Sequence, residues 1–289
     1  MWASPLRPGM TLKEALASAI EHLETHHVGS PRLNAETLLM FTLACNRAYL
    51  YAHSEQQLSP DDETRYFDVI AERARGKPAQ YITGHQEFWG LDFIVNPAVL
   101  IPRPETEHVV ETVLELAGNM PRRTLVDVGT GSGCIALALA TELPHAEIHA
   151  SDISADALEV ARANAARLEL ETRVRFRQSD LLEAFDTRPQ FDFVVSNPPY
   201  VGLAEPEKVQ RQVREFEPKV AVFGGETGLE VYPRLIAQAA NVLKPDGWLV
   251  MEIGYSFEAR IREMLTGWAE VRVTPDLQGI PRVIAARPS

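Results

Sequence analysis

The sequence predicts an α/β protein: a mostly parallel sheet of about seven strands, covered by helices on both faces and preceded by a small all-α bundle. Three observations predict it. Helical periodicity fills roughly the first eighty residues, and short apolar strands alternate with helices from residue 123 onward. The last two strands are joined by too few residues for a crossover helix, so they pair antiparallel. At 289 residues the chain has the length of about two domains.

The elements follow in order. Thr11-Leu-Lys-Glu14 has capping-box spacing, and Leu12, Leu16, Ile20 and Leu23 continue at helical intervals. Ser30-Pro31 offers an N-cap and a first-turn proline ahead of Leu33, Leu38, Leu39 and Phe41. Ser59-Pro60 repeats that start, with Asp61, Asp62 and Glu63 where the helix dipole favours acids. Tyr66, Phe67 and Ile70 form its buried face, and Gly76 with Pro78 ends it. Residues 1–79 are therefore expected to be a helical domain. Residues 80–103 mix aromatic and β-branched residues with glycines and predict a β-hairpin connector. The third domain, 104–289, opens with a helix over 105–116 that turns Val109, Val110 and Val113 inward. Strands are expected at 124–128, 147–150, 174–177, 191–195 and 248–253, with helices at 132–143, 155–168 and 232–243 between them. The closing hairpin strands are 270–273 and 282–286.

Composition narrows the function classes. The chain is 45% hydrophobic and 24% charged, as globular proteins are. Its 28 Lys+Arg against 40 Asp+Glu give a net charge of −12, which disfavours nucleic acid as a direct partner. Residues 1–88 carry 8 basic and 11 acidic side chains, so the average hides no basic half. Cys45 and Cys134 make neither a disulfide framework nor a paired zinc motif, and no metal is expected. The opening Met-Trp-Ala-Ser-Pro lacks the basic start and apolar stretch of an export signal. The longest apolar run, near Cys134–Ala140, is far short of the roughly 20 residues that span a bilayer. A cytoplasmic, monomeric protein without membrane contact is the expectation.

Asp127-Val-Gly129-Thr-Gly131-Ser-Gly133 follows a predicted strand and precedes a helix. The dinucleotide fingerprint requires a glycine three residues after the second one, and Cys134 stands there instead. G-x-G-x-G behind an acid fits S-adenosylmethionine (SAM) better than NAD, because SAM has no pyrophosphate and its ammonium group needs an acid such as Asp127. A merely structural tight turn is the alternative. Asp152 ends the second strand, where a carboxylate can accept both ribose hydroxyls or simply cap the next helix. Asp180 ends the third, where it can accept the adenine amino group or act as another cap.

The fourth strand ends in Ser196-Asn197-Pro198-Pro199-Tyr200. A carboxamide or aromatic amino nitrogen is a poor nucleophile because its lone pair is delocalised. Two acceptors on its two N–H bonds, Asn197 Oδ1 and the Pro198 carbonyl, would hold it so that the lone pair faces a methyl donor. The prolines restrict φ and keep Asn197 extended, and Tyr200 can cover a planar amide. A proline-rich strand end is the plain alternative. The expected chemistry is direct displacement with catalytic residues Asn197, Pro198 and Tyr200, and no covalent intermediate.

Several further stretches carry a resemblance: Gln80-Tyr-Ile-Thr-Gly84, Glu87-Phe-Trp-Gly90, Leu100-Ile-Pro-Arg-Pro-Glu-Thr-Glu107, Glu217-Pro218, Gly224-Gly225 with Gly228-Leu229, Glu252-Ile-Gly254, and Asp276-Leu277 with Gly279 and Arg282-Val283. Together with Asp127–Gly133 and Asn197–Tyr200, the chain beyond residue 79 resembles the HemK/PrmC-type peptide chain release factor N5-glutamine methyltransferases. The helical N-terminus matches in position and type only. The resemblance implies a Rossmann-like methyltransferase sheet and methylation of the glutamine in the Gly-Gly-Gln motif of class 1 release factors, a step of translation termination. The N-terminal helices would dock the factor. It also implies that Gly129, Thr130, Gly131, Ser132, Gly133, Asp152, Asp180 and Leu181 contact SAM, with Asn197 at the donor and Asn197, Pro198, Pro199 and Tyr200 holding the glutamine. Leu181 departs from the aromatic residue many relatives carry beside the adenine. Phe88 and Arg103 are candidates to wall the pocket or orient ligand or, alternatively, interdomain packing; Glu252 reads as structural. Two other functions stay open: an amino-methyltransferase acting on DNA or RNA, and a non-catalytic nucleotide-binding interaction protein.

Overall fold

A computed structural model describes residues 9–118, 122–204 and 209–289. The opening Met-Trp-Ala-Ser-Pro, read above for an export signal, lies outside the described residues. The chain divides into two units, Met1–Gly84 and His85–Ser289.

The first unit is helical: α1 (Leu12–Thr25), α2 (Pro31–Leu43), α3 (Arg47–Ala52), α4 (Pro60–Ala74) and α5 (Ala79–Thr83). The capping box at Thr11 and Glu14 closes α1, and Ser59 caps α4 through the Asp62 N–H. Leu12, Leu23, Leu38, Leu39, Tyr66 and Ile70 fill the core, where the Tyr66 hydroxyl donates to the Ala35 carbonyl at 3.0 Å. Leu33 and Phe41 of α2 are exposed, while Leu38 and Leu39 are buried. Two expectations are corrected here. Ser30 has a left-handed backbone (φ 50°) and its side chain makes no cap bond. Residues 80–83, assigned to the connector, are helical in α5.

The second unit begins with a hairpin, β1 (His85–Phe88) and β2 (Leu91–Ile94). Its two-residue turn, Trp89-Gly90, has positive φ at both positions, as a primed turn requires. Side chains hold this turn: Trp89 N–H donates to Glu107, Trp89 Nε1 to Glu142 and Gly90 N–H to Glu87. There follow a 3-10 turn (Pro104–Thr106), α6 (Glu107–Ala117), β3 (Thr124–Val128), α7 (Cys134–Glu142), β4 (Glu147–Asp152), α8 (Ala155–Arg167), β5 (Val174–Gln178) and β6 (Phe191–Ser196). The chain ends with α9 (Arg211–Phe216), α10 (Lys219–Val222), α11 (Val231–Val242), β7 (Leu243–Glu252), α12 (Glu258–Met264), β8 (Glu270–Pro275) and β9 (Pro281–Arg287).

The sheet order is β5-β4-β3-β6-β7-β9-β8. The first five strands are parallel, and β9 is antiparallel to both β7 and β8. Both faces are buried, so the strands read as continuous apolar runs. Leu125, Phe193 and Val195 face one core with α6 and α7, while Val126, Val194 and Leu249 face the other with α11 and α12. The strand order reverses between β3 and β6, which places a crevice at their carboxyl ends.

Candidate active site

Four loops leave the parallel strands at that crevice. After β3 comes the glycine loop, whose Gly129 and Thr130 N–H groups both donate to the Ser151 carbonyl of β4, at 2.8 and 2.9 Å. Asn164 of α8 braces the loop from behind: its Nδ2 donates to the Ser132 and Ile94 carbonyls, and its Oδ1 accepts from the Ile94 N–H. One buried amide thus ties the hairpin to the loop.

A cavity of about 240 Å³ opens above the glycines. Among the expected residues it is lined by Gly129, Thr130, Gly131, Ser132, Asp152, Asp180, Leu181, Asn197, Pro199 and Arg103. Gly129 and Gly131 have positive φ, and a Cβ on either would enter open space. Asp152 accepts the Gly131 N–H on Oδ2 and the Ser154 N–H on Oδ1, both at 2.9 Å, and burial raises its carboxyl above the usual range. The cap of α8 is Ser154, not Asp152. Asp180 accepts from Arg234 at 2.7 Å. Asp127 does not line the cavity. It is buried below the loop, accepts the Thr130 hydroxyl at 2.6 Å, and is pushed by desolvation up to about 7. Its Oδ1 has no partner among the described residues.

The segment after β6 turns outward at Asn197. A second cavity, of about 470 Å³, is lined by Pro198, Tyr200, Glu105, Glu252 and Arg282. Leu100, Arg103, Asn197, Pro199 and Ala221 line both cavities. Two spaces therefore meet across Asn197 and Pro199, one over the glycine loop and one over Tyr200. Asn197 Nδ2 donates to Thr106 Oγ1 at 3.0 Å, and no described residue donates to its Oδ1 or to the Pro198 carbonyl. Thr106 Oγ1 donates to Glu252 Oε2 at 2.6 Å, and the Tyr200 hydroxyl donates to Glu252 Oε1 at 3.2 Å. Burial pushes the Glu252 carboxyl up to about 7, and the Glu252 charge together with burial raises the Tyr200 phenol.

The loop of Gly224 to Leu229 packs directly on this segment. The Val201 N–H donates to the Val222 carbonyl and the Gly224 N–H donates to the Val201 carbonyl, and a Cβ on Gly224 would lie far inside van der Waals contact with the Pro199 carbonyl oxygen. Gly228 stands likewise against the Tyr200 carbonyl. Arg103 pairs with the fully buried Glu217 carboxylate, which also accepts the Ile101 N–H at 3.2 Å.

Sequence reasoning missed Thr106. Only its place in Pro-Glu-Thr, ahead of a helix, marked it. Phe88, expected to wall the pocket, lines neither cavity. It is 1% exposed and packs edge-on against Phe93, with ring centroids 6.2 Å apart, because the hairpin turns it into the core. Phe88→Ala is expected to lower unfolding stability by about 3–5 kcal/mol in denaturant titrations without altering ligand binding in either cavity. Among the described residues no helix is long and apolar enough to cross a membrane, and no His/Cys/Asp/Glu group is placed to hold a metal.

Comparison with known proteins places the chain in a family. A profile described as PrmC N-terminal domain matches residues 14–84, and one described as methyltransferase small domain matches residues 106–215. A release factor glutamine methyltransferase of Koribacter versatilis is 57% identical over 278 residues, covering 96% of this chain and 99% of that protein. The chain belongs to the release factor glutamine methyltransferase family. A second member, from Moorella thermoacetica, is 42% identical and covers 96% of this chain and 98% of its own. Among solved structures, the hMettl16 catalytic domain in complex with MAT2A 3'UTR hairpin 1 aligns with a TM-score of 0.58 at 16% identity, over 86% of this chain and 90% of that one. A methyltransferase from Pyrococcus furiosus aligns with a TM-score of 0.52 at 19% identity, over 77% and 97%. These two likenesses concern the fold. It is the Rossmann-like methyltransferase sheet, and this chain's glycine loop and Asn-Pro-Pro-Tyr segment sit at its switch point.

Proposed function

We propose that this chain transfers a methyl group from SAM to the side-chain nitrogen of the glutamine in the Gly-Gly-Gln motif of class 1 peptide chain release factors. The observation that carries the reading is the shared wall: Asn197 and Pro199 stand between a cavity over the glycine loop and a cavity over Tyr200. Family membership selects the acceptor.

The first cavity fits the donor. Gly129 and Gly131 leave room where a side chain would intrude, and Ser132 Oγ is buried without a partner among the described residues. Asp152 retains a second lone pair on each oxygen for the ribose hydroxyls, Asp180 offers an acceptor for the adenine amino group, and Leu181 offers apolar contact. When bound, SAM supplies an electrophilic methyl carbon on a positively charged sulfur.

The chain's own residues do the positioning. Asn197 Oδ1 and the Pro198 carbonyl, both without a donor among the described residues, accept the two N–H bonds of the glutamine carboxamide. Holding both N–H bonds aims the nitrogen lone pair across the shared wall toward the methyl carbon. The ring of Tyr200 covers the amide plane, with its hydroxyl held by Glu252. The Arg103–Glu217 pair holds the wall between the two spaces, with Arg103 neutralised rather than presented to a cationic donor. The helical unit, Met1–Gly84, is proposed to dock the factor, and the unit His85–Ser289 to carry out the transfer.

The test is direct. Purified protein with methyl-labelled SAM is expected to label a class 1 release factor, and replacing the factor's Gly-Gly-Gln glutamine is expected to abolish the label. Label that persists on the altered factor, or that appears only on nucleic acid, would overturn the assignment.

A further inference from the structure

A carboxamide is nearly symmetric in shape, so packing alone does not decide which end of Asn197 faces an acceptor. Turned one way it offers Oδ1 to an incoming N–H. Turned the other way it sets its own N–H against that N–H, donor against donor. The hydrogen bonds around Asn197 decide between these two states.

Thr106 Oγ1 carries one proton. That proton goes to Glu252 Oε2 at 2.6 Å; burial holds the Glu252 carboxyl up to about 7, and above that pH the ionised group can only accept. With its proton committed, Thr106 can only accept from Asn197, and Nδ2 is the only atom of the carboxamide that can donate; it lies 3.0 Å away. Asn197 Oδ1 is then the end left free. The remaining carboxylate oxygen, Oε1, accepts the Tyr200 hydroxyl, so one buried side chain holds both ends of the Asn-Pro-Pro-Tyr segment. Thr106 and Glu252 are each 2% exposed. A carboxyl group in such a place is costly, and well-packed apolar residues would usually stabilise a core at least as well. Its place is set by β7, which pairs with β6 in register at Ser196 and Met251, one residue before Asn197 and Glu252 respectively.

We infer that Thr106 and Glu252 are positioning residues for the methyl transfer: Glu252, acceptor-only when ionised, dictates the direction of the Thr106 hydroxyl, and Thr106 dictates which end of Asn197 meets the substrate nitrogen. The inference rests on the function proposed above and names what orients its central residue.

The experiment uses the full-length protein with a class 1 release factor. Thr106→Val keeps the shape and removes the hydroxyl; kcat/KM for the factor is expected to fall about 10- to 100-fold while the SAM dissociation constant stays within about threefold. Thr106→Ser restores the hydroxyl and is expected to return activity to within about threefold of the parent. Glu252→Gln can donate as well as accept and so no longer enforces a direction, and it is expected to lose activity in the same sense. In an Asn197→Ala background Thr106→Val is expected to change the remaining rate by less than about threefold, because nothing is left to orient. A purely structural role would instead lower activity equally in both backgrounds. Full activity of Thr106→Val, failure of serine to restore it, or an undiminished loss in the Asn197→Ala background would each overturn the inference while leaving the glutamine assignment intact. Should Thr106→Val not fold, Glu252→Gln carries the same comparison. A parent protein that leaves the factor's glutamine unmodified would overturn both.

Discussion

Asn197→Ala is expected to reduce methyl transfer to the release factor about 100- to 1,000-fold while SAM binding changes by no more than about threefold. The size follows from what is lost. One preorganised polar contact to the reacting group is commonly worth that factor, and a nitrogen freed from one of two acceptors no longer holds its lone pair on the line of transfer. Donor binding is spared because Gly129, Gly131, Asp152 and Asp180 remain on the other side of the shared wall. Single-turnover rates with labelled SAM, beside equilibrium titration of SAM, separate the two effects. Asn197→Ala turning over at the parent rate would remove Asn197 from the chemistry.

The second large effect is expected from a residue that touches neither ligand. Gly224→Ala adds one carbon where the Pro199 carbonyl oxygen already sits, and backbone cannot rotate aside as a flexible side chain would. The Asn-Pro-Pro-Tyr segment must move. A displacement near 1 Å in a site built on alignment costs about 100-fold in rate, and the forced packing costs about 1–3 kcal/mol of stability. Activity and thermal unfolding measured on the same preparation check this. Gly267→Ala is the control, since a Cβ there meets nothing within 4 Å and strains only its own backbone. Equal losses of activity from the two changes would mean that the approach to Pro199 is not what matters.

Much of this site is legible in the residues because its parts are local. The loop of Gly129 to Gly133, the strand that ends at Ser196 and the acids at the ends of β4 and β5 each sit in a few consecutive positions whose pattern reports a strand meeting a turn. The capping signals at Thr11 and Ser59 were legible for the same reason. Ser30 carries the same letters but adopts a left-handed backbone, and letters alone do not report φ. The helices α3, α9, α10 and α12 span four to seven residues each, too few turns for a hydrophobic period to repeat. Thr106 was silent because its meaning lies in Glu252, 146 positions away, and Arg103 likewise depends on Glu217, 114 positions away. Phe88 was misplaced because an aromatic beside a turn reads the same whether it faces a cavity or a core.

The position of β6 has a consequence for how the enzyme comes into being. It lies between β3, laid down long before it, and β7, laid down long after, with Ser196 in register with Val128 on one side and Met251 on the other. The backbone pairing that stiffens the strand leading into Asn197 is thus remote along the chain on both sides. A growing polypeptide that has just emerged past Tyr200 holds all the letters of the motif and only the β3 side of its support. Competence arrives late and abruptly, when the final third of the chain closes against the centre, and nonlocal closure of that kind is intrinsically slow.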